Sequence, residues 1–142
     1  MRLTPDEARE RLTAARVARL ATVSATGQPH LVPVTFAVDG DKIYIAIDHK
    51  PKTTTRLRRL ANIAANPQVT LLADHYDDDW SQLWWARADG TARILALTEP
   101  AVLVALERLA ERYPQYRLDP PPGPMLAIDV ARWSGWAAGE NS

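Results

Sequence analysis

The 142-residue sequence contains no cysteine, and this absence excludes disulfide bonds, thiol chemistry and cysteine-ligated metal sites. An excess of charge of one sign is also missing, because Lys plus Arg number 17 and Asp plus Glu number 17. General nucleic-acid binders are usually basic, so we predict no nucleic-acid partner. Residues 1–6 open no apolar signal segment, and no apolar run reaches membrane-spanning length. We therefore predict no membrane partner and a cytoplasmic location.

Patterns that bind metals or activate nucleophiles are absent as well. His30, His49 and His75 lie far apart and without HxH or HExxH spacing, so we predict no metal site. The acidic run of Asp74 and residues 77–79 lacks the spacing and the closing glutamate of a calcium loop, which favours a solvated loop. No serine has the context of a nucleophile, and no glycine-rich phosphate motif occurs. The catalytic residues therefore stay unassigned.

The alternation of short apolar patterns predicts helix, three strands, helix, two strands, helix and strand. The expected strands cover residues 18–23, 29–38, 42–47, 69–76, 83–95 and 125–130, and the last helix covers residues 98–113. Consecutive antiparallel strands with few intervening helices predict a small antiparallel barrel with helices packed outside it. We expect a mainly β (α+β) fold that forms one domain over residues 1–142.

The first predicted helix begins with a capping box. Thr4 precedes a proline at the first helical position, and Glu7 stands three residues after Thr4. The helix is expected to run to about residue 16. Its apolar face is small, consisting of Ala8, Leu12 and Ala15, so we expect the helix to lie on the surface.

Three positions in the predicted strands carry turn or edge signals. Asp39 and Gly40 form a strong hairpin signal between the second and third strands. Pro33 lies within a strand, and because proline cannot donate to a β-ladder it indicates an edge strand or a bulge. Gly90 indicates either a bulge or a turn within the long fifth strand.

A basic, threonine-rich segment follows the third strand and begins the second helix. Helix N-termini present unpaired N–H groups and the favourable end of a dipole to an anion. We interpret Lys50, Lys52 and Thr53 as a phosphate site, with Arg56 one turn into the helix as a further candidate. The alternative is a threonine cap followed by a solvated basic face, and this is how we interpret residues 58–59.

Aromatic side chains cluster around the start of the fifth strand. Tyr76, Trp80, Trp84 and Trp85 lie within ten residues. Adjacent residues of a strand face opposite sides, so one of the last two tryptophans is expected to enter the core while the other faces outward. The cluster is interpreted as contacting a partner or a ligand ring; the alternative is that Trp80 only covers the barrel end.

These segments together resemble the pyridoxamine-phosphate-oxidase-like split β-barrel family, the FMN-binding split-barrel type. The resemblance rests on ARLATV at 18–23, GQPH at 27–30, PVTF at 33–36, DGDKIY at 39–44 and NP at 66–67. KPK at 50–52, RL at 56–57, DDDW at 77–80 and LWW at 83–85 resemble the deazaflavin-dependent branch, whose members use coenzyme F-420.

The resemblance implies a homodimer with a flavin-type cofactor at its interface and a small-molecule substrate. The implied activity is that of an oxidoreductase, with hydride transfer from coenzyme F-420 to a small conjugated or aromatic acceptor. The implied phosphate contacts are Lys50, Lys52, Thr53 and Arg56. The implied ring contacts are Pro33, Val34, Thr35, Phe36 and Ile47, with Tyr76, Trp80 and Trp84 supplied by the opposite subunit.

One departure from the family bears on the cofactor. Pyridoxamine phosphate oxidases carry an R-x-V-L-L-K strand for the FMN phosphate, whereas residues 29–36 here contain no Arg or Lys. This difference argues against pyridoxamine phosphate oxidation and favours coenzyme F-420 over FMN. The alternatives are an FMN-dependent oxidase or reductase of the same fold, and a non-enzymatic flavin- or tetrapyrrole-binding protein.

Overall fold

The computed structural model describes residues 1–47, 53–121 and 123–139, and it describes residues 53–57 as backbone only. The helices are α1 (Pro5–Ala14), α2 (Thr53–Ala65), α3 (Pro100–Arg112) and α4 (Gln115–Leu118), with a 3-10 turn at Trp80–Gln82. The strands are β1 (Ala18–Val23), β2 (Pro29–Val34), β3 (Phe36–Asp39), β4 (Lys42–Ala46), β5 (Gln68–His75), β6 (Trp84–Leu95) and β7 (Met125–Ala137).

All the strands form one antiparallel sheet with the order β2-β1-β5-β6-β7-β4-β3. β2 and β3 stand at opposite edges of this sheet, yet Thr35 alone connects them along the chain. A single residue spans only about 3.6 Å, so the sheet must curl until its two edges meet at Thr35. The predicted antiparallel split barrel with flanking helices is therefore confirmed.

Two predicted strand boundaries were wrong. The predicted strand at 29–38 is broken at Thr35, because the chain leaves one sheet edge there and joins the other. The last strand continues beyond the predicted residue 130 to Ala137, because β6 supplies a pairing partner along its whole length, down to Trp84 opposite Ala137. The alternation of this second half is weak in the sequence, because an outward position holds the large apolar Trp136 while a buried position holds Gly135.

The turn and edge signals are resolved by the sheet. Gly40 has a φ of 61° in the turn between β3 and β4, which confirms the predicted hairpin. Pro33 lies on the edge strand β2, as one of the two predicted alternatives required. Gly90 marks a shift in register against β7 and not a turn; a Cβ at this position would lie 2.2 Å from the carbonyl oxygen of Asp129.

The helices pack on the barrel in two places. α1 begins with the predicted capping box, but its expected surface position was wrong in part, because Ala8 and Leu12 are fully buried against the barrel core. α3 covers a second apolar cluster that includes Ala105 and Leu109. Among the described residues, no helix is both long and apolar enough to cross a membrane. The helices thus cover the curled sheet while β2 and β3 stay unpaired with each other.

Candidate functional site

A pocket of about 320 Å³ opens where the chain passes from β2 to β3. We call it the Thr35 pocket. Its lining residues are Val17, Pro33, Val34, Thr35, Ala46, Arg59 and Tyr116. Apolar walls with a few converging polar groups are typical of sites for small molecules and cofactors. The pocket lies at the split of the barrel, where the ladder of the sheet is interrupted.

Two tyrosines from the end of α3 and from α4 satisfy the polar groups at this split. The hydroxyls of Tyr116 and Thr35 lie 2.9 Å apart and share a hydrogen bond. The hydroxyl of Tyr113 accepts the N–H of Phe36 at 3.1 Å and donates to the carbonyl oxygen of Arg16 at 3.1 Å. The two rings meet edge to face with centroids 5.7 Å apart. The helical layer therefore holds the β2–β3 junction in one conformation.

Arg112 reinforces the same junction from the last turn of α3. Its guanidinium lies 5.0 Å from the centroid of the Phe36 ring, which is a cation–π contact. It also donates hydrogen bonds to the carbonyl oxygens of Thr13 and Ala15 at the end of α1. Arg112 thus joins α1, α3 and the start of β3 behind the Thr35 pocket.

Arg59 is a pocket residue that sequence reasoning missed. It was interpreted as part of a solvated helix face together with Arg58, but it is only 9 % exposed and lines the Thr35 pocket. Arg58 is exposed, since adjacent helical residues point about 100° apart. The spacing along α2 could have placed Arg59 on the buried face of the helix, because it precedes the buried Asn62 and Ile63 by three and four residues.

The predicted ring-contact residues are divided between the pocket and the core. Pro33, Val34 and Thr35 line the pocket, as the ring prediction requires. Phe36 and Ile47 are fully buried, and their backbone N–H groups already donate to the Tyr113 hydroxyl and to the carbonyl oxygen of Pro124. Direct contact of Phe36 and Ile47 with a bound ring stays a prediction.

The predicted phosphate loop is largely outside the described residues. Lys50 and Lys52 fall in the segment that is not described, and the side chains of Thr53 and Arg56 are not described either. Thr53 is the first residue of α2, as the interpretation of the segment as a helix start expected. The phosphate assignment of these residues stays a prediction.

The aromatic cluster spreads over the barrel surface near the start of β6. Tyr76 is 66 % exposed and Trp80 is 68 % exposed, so both can contact another molecule. Trp84 packs against the barrel core, with the ring of His75 stacked at 6.4 Å and the guanidinium of Arg11 at 5.3 Å. The partner-subunit roles predicted for Tyr76, Trp80 and Trp84 stay predictions.

Trp85 lies on the opposite side of β6 from Trp84, as the alternation predicted. It pairs directly with Trp136 of β7, and the guanidinium of Arg87 lies 5.2 Å from its ring. A groove of about 420 Å³ runs along this outward face, and Arg2 and Arg132 also line it. This outward face therefore presents aromatic side chains together with the positive charges of arginines.

The acidic residues after β5 accept hydrogen bonds within local turns. Asp77 accepts the N–H of Asp79 at 2.8 Å, and Asp79 accepts both the N–H and the hydroxyl of Ser81. These hydrogen bonds lower the pKa of Asp79. Within the described ranges, no three His, Cys, Asp or Glu side chains are grouped closely enough to hold a metal ion.

The fold and the Thr35 pocket define a split barrel with a pocket at the junction of its two edge strands. The family model for pyridoxamine 5′-phosphate oxidase matches residues 4–137 of this sequence. The chain therefore belongs to the pyridoxamine 5′-phosphate oxidase family, and the predicted superfamily resemblance is confirmed.

Similar proteins include one reductase and several solved structures. The 5a,11a-dehydrotetracycline/5a,11a-dehydrooxytetracycline reductase of Streptomyces rimosus subsp. rimosus is 41 % identical over 56 residues, which are 39 % of this chain and only 38 % of that relative. A FAD-binding protein from Mesorhizobium loti has a TM-score of 0.74 and 21 % identity, with 95 % of each chain covered. The heme storage protein HutZ from Vibrio cholerae has a TM-score of 0.73 and 18 % identity, with 100 % of each chain covered. At these identities the two structures show the fold alone.

Proposed function

We propose that this protein is an oxidoreductase that binds coenzyme F-420 in the Thr35 pocket and delivers hydride to a small conjugated or aromatic acceptor. The observation that carries the proposal is the composition of that pocket, in which apolar side chains stand beside two hydroxyls and one buried guanidinium. The reductase relative from Streptomyces supports reduction as the reaction, through a similarity that covers 38 % of its length.

The residues of the pocket fit a flat heteroaromatic ring. Val17, Val34 and Ala46 offer apolar area to the faces of a ring. The hydroxyls of Thr35 and Tyr116 offer both a donor and an acceptor to polar atoms on a ring edge. A pocket with these two kinds of wall would bind and orient a deazaflavin or flavin ring.

The chemistry of hydride transfer would come from the bound cofactor, and the chain's own residues would position it. Arg59 supplies a buried positive charge that would hold an electron-rich or anionic part of the ligand. The hydroxyls of Tyr116 and Thr35, which share a hydrogen bond at the pocket wall, would orient a polar group of the ligand.

The choice of F-420 over FMN rests on where the cations are. β2 carries no Arg or Lys, so the strand that serves the FMN phosphate in pyridoxamine phosphate oxidases has no counterpart charge here. The cations lie on α2 and, in sequence, in the loop before it. The alternative is an FMN-dependent oxidase or reductase, and the FAD-binding protein of the same fold supports this alternative. A non-enzymatic tetrapyrrole-binding protein is the second alternative, because the heme storage protein shares the fold.

We also propose that the protein forms a homodimer through the outward face of β6 and β7. The cross-strand pair of Trp85 and Trp136 places two large aromatic side chains there. Tryptophan and arginine are the residue types enriched at the centres of interfaces. Analytical ultracentrifugation should give a dimer mass for the parent chain and a lower mass for Trp136→Glu, and a monomeric parent would remove this proposal.

The test of the cofactor is a titration of the purified apoprotein with coenzyme F-420 and with FMN, followed by fluorescence. We expect F-420 to bind more tightly. Arg59→Ala should weaken binding about ten- to hundredfold, because a charge-assisted hydrogen bond contributes about 1.5–3 kcal/mol. Arg93→Ala is the matched control, since Arg93 pairs with Glu99 and lines neither the Thr35 pocket nor the β6–β7 groove.

Tighter binding of FMN would replace the F-420 proposal by the FMN alternative. Binding of neither cofactor, with tight binding of heme, would favour the storage protein. Equal losses in Arg59→Ala and Arg93→Ala would show that the Thr35 pocket is not where the cofactor binds.

A further inference from the structure

The β6–β7 groove is a basic and aromatic surface on the outward face of the sheet. Its aromatic side chains include the cross-strand pair of Trp85 and Trp136. Three arginines also line it, namely Arg2, Arg87 and Arg132. Its volume of about 420 Å³ lies within the range of about 300–1,000 Å³ that is typical of pockets for small molecules. The groove can therefore take a large aromatic side chain together with its polar neighbours.

Part of the positive charge of the groove is not neutralised within the described part of the chain. Arg87 forms an ion pair with Asp89, whose Oδ2 atom lies 3.3 Å from the Nε atom of the arginine. Arg2 and Arg132 are exposed, and neither forms an ion pair with a described residue. The Oγ atom of Ser134, opposite Arg87 in the ladder, is buried and has no hydrogen-bond partner among the described residues. The groove thus offers positive charge and a hydroxyl group to an acidic partner.

These charges disfavour a dimer in which two grooves face each other directly. In a two-fold symmetric dimer, a contact from one surface to another is matched by the same contact in the reverse direction. If the groove met its own copy, the arginines of one protomer would oppose those of the other, and like charges oppose association. The groove is therefore expected to meet a different and acidic surface of the second copy.

Residues 76–80, which we call the acidic segment, have the complementary chemistry. They consist of three aspartates between Tyr76 and Trp80, whose side chains are 66 % and 68 % exposed. Asp78 is exposed too, and its carboxylate has no hydrogen bond or ion pair with a described residue. The carboxylates on either side of it accept hydrogen bonds within local turns, which hold the segment in one conformation. The acidic segment thus presents negative charge beside two exposed aromatic rings.

The acidic segment and the groove adjoin each other at one end of the barrel. The segment follows β5, and Trp85 of the groove comes only five residues after Trp80. At the same end, the N–H of Ala138 donates to the carbonyl oxygen of Leu83 at 2.9 Å, which joins the end of β7 to the start of β6. Because the two surfaces are neighbours on one protomer, a two-fold axis between them would bring each surface against its counterpart on the second copy.

We propose that the acidic segment of one copy docks in the β6–β7 groove of a second copy, and that this contact forms twice in the dimer. Trp80 would pack against the tryptophans of the groove, and Asp78 would face Arg132. The inference rests on the homodimer proposed above and states which of its surfaces meet. It gives Trp80 a role in the interface that is separate from the ring contact implied by the family resemblance.

The test reverses one charge on each surface and measures the mass of the apoprotein by analytical ultracentrifugation. Asp78→Arg places a cation against the arginines of the groove, and Arg132→Glu places an anion against the acidic segment. Each reversal acts at both contacts, so the dissociation constant of each variant dimer should rise about a hundredfold, from about tenfold for each contact. Both side chains are exposed, so the variants should fold, which circular dichroism checks.

Arg93→Glu is the matched control for the charge reversals. Arg93 also lies on β6, but it is six residues from Arg87, which is about 20 Å along a strand, and it does not line the groove. The mass of this variant should equal that of the parent dimer.

A mixture of the two groove and segment variants shows whether the contact forms between copies. In a heterodimer of Asp78→Arg with Arg132→Glu, the two introduced charges attract each other at one contact. The other contact retains the native Asp78 and Arg132. We expect the equimolar mixture to regain the dimer mass, and native mass spectrometry should find one chain of each variant in that dimer.

The inference is overturned if the parent is a dimer and either variant dimerises as tightly as Arg93→Glu, or if the mixture of the two variants stays monomeric. A monomeric parent would remove it together with the homodimer. Trp80→Ala should also weaken the apoprotein dimer. If Trp80→Ala instead dimerises as the parent does and loses only cofactor binding, Trp80 belongs to the ring contact and not to the groove. All masses are measured without cofactor, so failure of F-420 to bind the Thr35 pocket would leave these results unaffected.

Discussion

The Thr35 pocket lies at one end of β2, and a second pocket of about 330 Å³, the His30 pocket, lies at the other end and is built differently. The His30 pocket is lined by Ser24, Gln28, Pro29, His30, Arg58 and Asn62. In the Thr35 pocket, the hydroxyls of Thr35 and Tyr116 are hydrogen-bonded to each other, and at the adjoining junction the hydroxyl of Tyr113 also has partners. In the His30 pocket, Asn62 and Thr22 are paired, whereas the Nδ1 atom of His30 has no partner among the described residues. Satisfied polar groups hold a site in one geometry, whereas an unsatisfied one favours the entry of a ligand that supplies the missing partner.

The two pockets also differ in the distance along the chain that they bridge. Tyr116 is 81 residues from Thr35, and Tyr113 is 77 residues from Phe36. Asn62 is only 40 residues from Thr22, and His30 is brought beside Thr22 by the short β1–β2 hairpin. The Thr35 pocket therefore depends on docking of the helical layer, while the His30 pocket depends on the barrel and α2.

The largest expected effect is a loss of stability when the helical layer no longer holds the β2–β3 junction. Tyr113→Phe removes the acceptor of the Phe36 N–H and the donor to the Arg16 carbonyl oxygen. Because one backbone N–H is left without its partner, the free energy of unfolding should fall by about 2 kcal/mol. Urea denaturation followed by circular dichroism measures the change. An unchanged midpoint would show that water replaces the tyrosine and that the junction is not held by it.

The corresponding change in the His30 pocket should be somewhat smaller. Thr22→Val leaves the buried amide of Asn62 without its acceptor, and we expect a loss of about 1–2 kcal/mol. The double variant Thr22→Val with Asn62→Leu is the control, since replacing both partners by apolar groups should recover part of the loss. A double variant no more stable than the single one would show that packing, and not the unpaired amide, causes the loss.

Tyr116→Phe should separate stability from ligand binding. It removes one hydrogen bond between two side chains, so the expected loss of stability is about 0.5–1 kcal/mol, less than for Tyr113→Phe. Cofactor binding should nevertheless weaken more in Tyr116→Phe, because only Tyr116 lines the Thr35 pocket. The same fluorescence titration, run on both variants, gives the ratio of their dissociation constants for the cofactor. Equal binding losses would mean that the Tyr116 hydroxyl acts only through the fold.

The smallest expected effect is a pH dependence from the His30 pocket. The pKa of His30 lies below its ordinary value of 6.5 because of burial and of nearby Arg58 and Arg59. The unfolded chain then binds the proton more readily, so the contribution of neutral His30 to stability is complete above pH 6.5 and declines as the pH falls through the lower native pKa.

His30→Gln should remove this dependence, which melting temperatures measured between neutral and mildly acidic pH would detect. The lowered pKa of Glu99, held by Arg93, acts in a separate and more acidic range. If the parent and His30→Gln lose stability in parallel as the pH falls, the imidazole is not the group responsible.

Much of the barrel was predictable because its signals are local. The capping box at Thr4, the turn at Gly40 and the edge position of Pro33 each follow from the geometry of one or two residues, and the structure confirms them. The same holds for the opposite orientations of Trp84 and Trp85, since a strand alternates by necessity. Of the ring contacts that the family resemblance implied, Pro33, Val34 and Thr35 line the Thr35 pocket. Of these, only Pro33 carried a signal of its own, because a proline within a strand marks an edge or a bulge.

Other features could not be predicted because they depend on which elements meet. The break at Thr35 exists only because β2 and β3 occupy opposite edges of one sheet, a fact of topology that alternation along the chain does not contain. The burial of Ala8 and Leu12 depends on where α1 packs. Gly90 was ambiguous until the approach of the Asp129 carbonyl showed a bulge.

The sequence by itself determined the antiparallel barrel, because strands and turns follow from short-range patterns of polarity and turn chemistry. The family, and with it the strand on which the Thr35 pocket lies, followed from the resemblance of short motifs. Only the tertiary structure decided that Tyr116 lines that pocket while Tyr113 holds the adjoining Phe36 N–H, and that Arg59 and not a residue of β2 brings a buried guanidinium to it. It also decided that no described residue pairs with the buried Nδ1 atom of His30. The physical reason is that each of these contacts joins residues far apart along the chain, and their proximity is set by how the sheet curls and where the helices pack on it.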